Sequence, residues 1–345
     1  MVFSDLPQEG KKPGGVSIVI HELANALVRL GNYVRIYSYC PKPSDALYEV
    51  VRLKPFISLR FSKKLGLPFQ LANLNFSDLD IIHLHGEDWA FANRSVPTVR
   101  TFHGCSLIES KFANTVKSKL IYAAYHPLEL RAKKLASFSV GIGDDTVELL
   151  GVDMIIPNGY AQDLYYPGEK SCQPTAIVVG TLAGRKQTKI AIELLLSLKE
   201  KVPNLVIHAV VDEPFEHPAV QNWIGISREH LAQLVRESWI GLSTTRYEGF
   251  GIYYLEWMAS GTVPISFNNI GIRSLIENAK AGFLVDSLSE MGDVAFSVID
   301  NKSIRDEYAN NCISAAKSLS WDDIAQKYVE IYSHVLSGQR NPVYS

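Results

Sequence analysis

The sequence predicts an α/β protein of two lobes, each a parallel sheet covered by helices. Three observations predict it. Short β-like runs alternate with helix-length segments nearly from end to end, the pattern of parallel strands joined by helical crossovers. A turn-rich stretch near the midpoint, Pro157-Asn158-Gly159-Tyr160 through Pro167-Gly168-Glu169, has the composition of a hinge between domains. Finally, 345 residues are many for one core and comfortable for two.

Candidate strands in the first half lie at 34–39, 80–85, 98–102, 138–142 and 154–156. Those in the second half lie at 176–179, 205–211, 240–243, 263–267 and 283–285. Candidate helices lie at 16–30, 106–135, 188–201, 228–237, 252–260, 303–318 and 321–336. A first strand ahead of the Gly14-Gly15 loop has only Val2-Phe3-Ser4 to draw on. Either it is short or the true start lies upstream. Open parallel sheets bind ligands at their strand ends, so two such Rossmann-like lobes would face one another across a binding cleft.

The bulk numbers exclude several classes. A formal net charge of −2 and a 47% apolar share describe a soluble globular protein, neither disordered nor built for nucleic acid. Cys40, Cys105, Cys172 and Cys312 are scattered, with no Cys-x-x-Cys pair. That pattern favours a reducing compartment over a zinc site or a disulfide frame. No apolar run approaches the roughly 20 residues of a spanning helix. The start, Met1-Val2-Phe3-Ser4-Asp5, lacks the basic and apolar stretches of a signal peptide. A cytoplasmic protein is expected.

The most informative run is Tyr247-Glu248-Gly249-Phe250-Gly251-Ile252-Tyr253-Tyr254-Leu255-Glu256. A loop acid, then glycines, then a helix places unpaired backbone N–H groups beside two carboxylates. Such N–H groups favour phosphate, and ionised carboxylates accept hydrogen bonds from hydroxyls. A diphosphate between two hydroxyl-rich rings, as in a nucleotide sugar, would satisfy both. A buried turn with glycines that only tighten a strand-to-helix connection is the alternative on this run alone. Beyond it, Gly261 ends the helix and a strand follows over 263–267.

The block from Glu248 to Pro264, including Met258-Ala259-Ser260-Gly261-Thr262-Val263-Pro264, resembles the donor-site signature of family 4 glycosyltransferases. That is a retaining family with the GT-B fold. The resemblance extends along the chain. Pro13-Gly14-Gly15-Val16 with His21-Glu22-Leu23-Ala24-Asn25-Ala26-Leu27 looks like the family's opening glycine loop and first helix. The runs Asp80-Ile81-Ile82-His83-Leu84-His85 and Thr101-Phe102-His103-Gly104 look like its strand-end motifs, and Ile156-Pro157-Asn158-Gly159 is similar to its hinge. The helix over 321–336 looks like the closing helix that crosses back to the first lobe. The implied division is an acceptor-side lobe at 1–157, a donor lobe at 158–320 and the crossing helix within 321–345.

Two departures stand out. Members often carry Arg after the glycine of the first C-lobe strand and Lys five positions later, whereas here the strand runs Val179-Gly180-Thr181 with Arg185-Lys186 following. The cationic role therefore moves to Arg185 and Lys186. The later loop, Asn269-Ile270-Gly271-Ile272-Arg273-Ser274, has one glycine where members often have two, and Ser274 in place of Glu.

The resemblance implies transfer of a sugar from a nucleotide diphosphate to a hydroxyl with retention; no cofactor is expected, and no metal, since protein cations and backbone amides are assigned the charge of the leaving group. Arg185 and Lys186 would neutralise the leaving diphosphate, as preorganised charge does for an oxyanion. Gly15, Gly180, Gly249, Phe250 and Gly251 would line the donor through backbone contacts, Glu248 would hold the transferred sugar, and Glu256 the ribose. UDP- or GDP-sugars are the expected donors, with a glycan, glycolipid or lipid-linked sugar as acceptor. For Arg185 and Lys186 the competing reading is two solvated loop charges, and for Glu256 a helix acid paired with a base. His103 begins a cleft loop, where it would touch the sugar or acceptor or serve packing. His83 and His85 face one side of a strand, and no third metal ligand accompanies them. Gly141-Ile142-Gly143-Asp144-Asp145-Thr146 lacks the third glycine of a dinucleotide fingerprint and its acids would repel a pyrophosphate.

Residues 50–135 hold 13 Lys or Arg against 6 Asp or Glu, a net +7. Within them Ile108, Phe112, Val116, Leu120 and Ala124 recur at helical spacing beside Lys117 and Lys119. A basic amphipathic surface of this kind suits an anionic membrane face; a core-facing helix with a solvated basic side is the alternative. Two rival functions stand beside the transferase. One is a nucleotide-sugar epimerase or hydrolase on the same fold, which would turn over donor alone. The other is a non-catalytic glycosyltransferase-like subunit, which would bind donor without turnover.

Overall fold

A computed structural model describes residues 1–9, 14–54, 60–93, 95–113, 115–183 and 186–338, the side chains of 60–65 excepted. The chain divides into two compact units. Met1–Lys111, Val116–Gly159 and Trp321–Ser345 form the first, Phe112–Thr115 and Tyr160–Ser320 the second.

The first part of the chain runs α1 (Gly15–Arg29), β1 (Arg35–Ser38), β2 (Glu49–Arg52), α2 (Arg60–Leu71), β3 (Ile82–Leu84) and β4 (Thr98–Phe102). It continues through α3 (Ser106–Phe112), α4 (Val116–Leu135), β5 (Phe138–Gly141), α5 (Asp144–Leu150) and β6 (Met154–Ile155). Strands β1 and β2 pair in parallel, as do β3, β4, β5 and β6 in that order. Residues 1–4 join the two groups. Val2 bridges both Tyr37 and Leu84, its N–H donating to the His83 carbonyl at 2.9 Å and its carbonyl accepting from the His85 N–H at 3.3 Å. The short first run is therefore a central strand, saturated on both edges. The resulting order, β2, β1, residues 1–4, β3, β4, is doubly wound, and its switch point falls between residues 1–4 and β3.

The second part runs β7 (Thr175–Val179), α6 (Thr188–Lys199), β8 (Val206–Val210), β9 (Val220–Trp223), α7 (Arg228–Glu237) and β10 (Ile240–Ser243). There follow α8 (Ile252–Ala259), β11 (Val263–Phe267), α9 (Ile270–Glu277), β12 (Phe283–Val285), α10 (Leu288–Asp300) and α11 (Lys302–Ala316). The six strands pair in parallel in the order β12-β11-β10-β7-β8-β9, again doubly wound, with the switch between β7 and β10. Ala176, Val178, Ile207, Ala209, Ile240 and Val263 are wholly buried, as parallel strands covered on both faces must be. Each larger aliphatic side chain among them contributes about 1.5–3 kcal/mol by leaving water.

The last helix, α12 (Trp321–Leu336), returns to the first unit and packs on α1. Ile324, Ala325, Tyr328 and Ile331 form its buried stripe at helical spacing, and Arg29 meets Asp322 at 2.6 Å on the outside.

Three expectations change. The single helix expected over 106–135 is two, α3 ending at Phe112 and α4 starting at Val116, with Thr115, a poor helix former, just ahead of α4. The stretch 269–274, read as a loop, is the start of α9. The stripe of apolar residues on α4 is not core-facing, since Val116 and Leu120 are 75% and 67% exposed.

Candidate active site

The second sheet's switch point gathers predicted residues that lie far apart in sequence. Gly180 follows β7, and the loop after it leads into α6; Glu248 and Gly251 follow β10 and lead into α8. Lys186 Nζ lies 3.8 Å from Glu248 Oε1 and 4.4 Å from the centre of the Tyr253 ring. The stem of Lys186 runs over Gly180, where a Cβ would fall 2.8 Å from Lys186 Cδ. Glu248 is buried, so its attraction to the half-buried ammonium is less screened than at a surface. Arg185 lies outside the described residues.

Two backbone ties set Lys186 in place. Gln187 caps α6 with φ 49°, a left-handed conformation uncommon for a non-glycine residue. Thr244, just past β10, donates to the Gln187 carbonyl at 2.8 Å and the Lys186 carbonyl at 3.3 Å. Neither residue is marked by any sequence motif. The link exists because β7 and β10 are neighbours.

Glu248 is held from the other side by glycines. Gly251 caps α8 with φ 70°, which favours glycine. At Gly271 in α9, a Cβ would lie 1.8 Å from the Glu248 carbonyl oxygen and 2.9 Å from the Gly249 carbonyl carbon. Helix α9 thus packs directly on the backbone of the loop acid. The one glycine kept in the divergent 269–274 run is the one this contact requires. Phe250 is buried. Tyr254 anchors the start of α8, its hydroxyl 2.9 Å from Ser243 Oγ and 2.7 Å from Ser266 Oγ. Burial, then the neighbouring Tyr254 and Glu248, pushes the Tyr253 hydroxyl well above its ordinary pKa, so it is a neutral floor under Lys186.

Glu256 sits one turn into α8 and is half-buried. One of its partners is the buried hydroxyl of Tyr165, whose pKa rises well above the usual value through burial and then through the Glu256 charge and hydrogen bond. Glu256 accepts from a phenol here.

Gly15 and His103 belong to the first unit. Gly15 opens α1 and is exposed. His103 lines a cavity of about 530 Å³ formed at the ends of β3 and β4 and closed by α4. Burial, then the Arg100 charge, lowers the His103 pKa to about 3. His83 has both ring nitrogens engaged, with Tyr332 at 2.6 Å and Thr101 at 2.8 Å, a packing role. Among the described residues the one group of three potential metal ligands is Cys105, His126 and Glu129. The scattered cysteines gave no sign of it. Cys105 Sγ is 3.8 Å and Glu129 Oε2 3.6 Å from His126 Nδ1, and the Glu129 carboxylate already accepts from the N–H and hydroxyl of Ser106.

Two doubly wound sheets, the second with a cation and a carboxylate together at its switch point, define a nucleotide-binding enzyme of the GT-B class. Residues 13–163 match the family described as Glycosyltransferase Family 4, and residues 167–319 match Glycosyl transferases group 1. The chain belongs to these group 1 glycosyltransferases, whose reaction is sugar transfer from a nucleotide sugar. It is similar to the glycogen synthase of Mycobacterium tuberculosis, 22% identical over 95% of this chain and 93% of that one. Among solved structures, sucrose-phosphate synthase from Thermosynechococcus elongatus shares the fold with a TM-score of 0.75 at 16% identity, over 95% of each chain. Anabaena Alr3699/HepE in complex with UDP-glucose does so with a TM-score of 0.71 at 15% identity, over 96% of this chain and 98% of that one.

Proposed function

We propose that this glycosyltransferase retains the donor's anomeric configuration and works without a metal ion, taking a UDP- or GDP-sugar and a carbohydrate or lipid-linked hydroxyl acceptor. The observation that carries the reading is the Lys186–Glu248 contact at the switch point. The C1–O bond to the diphosphate breaks while a C1–O bond to the acceptor forms on the same face. The proton of the attacking hydroxyl passes to a leaving phosphate oxygen. Negative charge grows on that diphosphate, and a cation fixed in advance stabilises it more in the transition state than in the ground state. Lys186 is assigned that role, with Arg185 beside it in the chain and the first amides of α8 as dipolar donors. Glu248 accepts from hydroxyls of the transferred sugar. Glu256 accepts from the ribose, and His103 serves the first unit's side of the reaction. Gly15, Gly180 and Gly249 admit close backbone approach. The UDP-glucose bound by Alr3699/HepE favours a uridine donor.

We also propose peripheral contact with an anionic membrane through α4. Val116 and Leu120 stand out from it beside the exposed Lys117 and Lys119, and no helix among the described residues is long and apolar enough to cross a membrane. One reaction followed by NMR with EDTA present tests the chemistry. Turnover should persist and the product should keep the donor's configuration. Inverted product, strict metal dependence, or donor consumed at full rate with no acceptor would each overturn the reading.

A further inference from the structure

The first unit's cavity carries a chemical signature of what it binds. At about 530 Å³ it falls among small-ligand sites, which span about 300–1,000 Å³. Trp89, Tyr122 and Tyr125 supply much of its wall. His85 and His103 supply paired polar groups, with His85 Nδ1 3.2 Å from His103 Nε2 and the rings stacked at 24°.

The two rings share one hydrogen across that contact, so one ring donates there and the other accepts. A neutral imidazole has one N–H and one bare nitrogen. If His85 Nδ1 donates across the 3.2 Å contact, His85 Nε2 is bare and His103 Nδ1 carries hydrogen. If His103 Nε2 donates instead, the two outer nitrogens exchange roles. In either case the pair offers one donor and one acceptor. Both outer nitrogens are buried and have no hydrogen-bond partner among the described residues, and a buried polar group left unpaired is costly, so the pair favours a ligand that completes it.

We propose that the His85–His103 pair reads a hydroxyl, and that the acceptor in this cavity is an uncharged polyol, a neutral sugar or glycoside, and not a phosphorylated one. This rests on the assignment of the first unit to the acceptor. A hydroxyl donates and accepts, so it matches the pair in either tautomer. A phosphate dianion only accepts, so its oxygens would meet a bare nitrogen. Charge in the lining agrees. Among the described lining residues the one Lys or Arg is Arg100, which is ion-paired with the buried Asp88 and packed 4.4 Å from the Phe102 ring centre. Glu87 and Glu109 also line the cavity. No spare cation there offsets the cost of burying a dianion.

The test is ligand-observed NMR on the full chain with UDP present. The neutral probes are the methyl glycosides of glucose, mannose and galactose; the charged probes are glucose 6-phosphate and inorganic phosphate. At least one glycoside should bind, at least tenfold more tightly than glucose 6-phosphate, and phosphate should not displace it. His85→Phe should weaken that binding at least tenfold. His85→Asn, whose amide still both donates and accepts, should stay within about threefold of wild type. The inference fails if no glycoside binds, if the sugar phosphate binds more tightly, or if His85→Phe binds as wild type does. Should His85→Phe not fold, the wild-type preference and His85→Asn still decide. UDP affinity is read in the same samples. Its absence alongside intact glycoside binding would count against the donor assignment alone.

Discussion

Lys186 Nζ and Glu248 Oε1 lie 3.8 Å apart, although 62 positions separate them in the chain. Their closeness follows from β7 and β10 being hydrogen-bonded neighbours. The sugar and its leaving group must both be held there if the proposed chemistry is right. Lys186→Ala should then lower turnover by on the order of 100- to 1000-fold, the usual cost of one oxyanion donor, while the melting temperature moves little. Near-normal turnover would shift the diphosphate clamp to another cation, with Arg246 and Arg273 the first to test.

Glu256 has a different assignment and so a different readout. Glu256→Ala should weaken nucleotide binding by about 1.5–3 kcal/mol, the range for hydrogen bonds to a charged group, with the fold kept. A calorimetric UDP titration with unchanged affinity would remove Glu256 from the ribose site.

Gly271→Ala tests how the loop acid is positioned. The added carbon would stand 1.8 Å from the Glu248 carbonyl oxygen, so α9 or the 248–249 backbone must move. Overpacking of this kind typically costs about 1–3 kcal/mol. We expect a lower melting temperature together with weaker donor binding. A variant as stable and as active as wild type would show that α9 does not brace Glu248.

Lys170 provides a pH test of the second unit. Its Nζ donates to the carbonyls of Ser238 and Ser260 at 2.8 and 2.9 Å and to Thr262 Oγ1 at 2.9 Å. Burial pulls its pKa from 10.5 to about 7. Between those values the unfolded chain holds the proton more tightly than the folded one. This contribution to stability is thus present above the unfolded value and is lost as pH falls through the folded one. Melting temperatures of wild type and Lys170→Met from pH 6.5 to 9.5 should diverge, wild type gaining as pH rises. A constant gap would mean that three acceptors keep the ammonium charged throughout.

Contact of α4 with membranes should be electrostatic in part. Sedimentation with anionic vesicles should fall as salt rises, because exposed charges are screened beyond about 8–10 Å, and neutral vesicles should bind less. Equal binding to both would sink the idea.

Much of the fold was legible because parallel strands and amphipathic helices leave strong local patterns. Helices α7 and α12 and strand β10 have the bounds the sequence predicts. The missed strands β2 and β9 are edge strands with half-exposed, partly polar faces, so no apolar run announces them. Helix α10 was missed despite a readable signal, for Ser287 and Glu290 form a capping box in which Ser287 Oγ accepts from the Glu290 N–H and Glu290 from the Asp286 N–H. The motif acids could be picked out by spacing. Thr244, Gln187 and the His85–His103 pair could not, since each depends on which strands become neighbours.

The return of α12 to the first unit bears on how the protein is made. Synthesis delivers the whole second unit before the helix that covers α1 emerges, so the second unit can fold while the first still waits for its last piece. Until then α1 lacks the contacts it makes with α12. The cavity's inner support also waits, because Thr101 and His83 take their hydroxyl partners from Tyr328 and Tyr332 on that helix. A chain stopped at residue 320 would therefore carry a complete second unit and a first unit that lacks its last helix, and the nascent chain passes through that state each time it is translated.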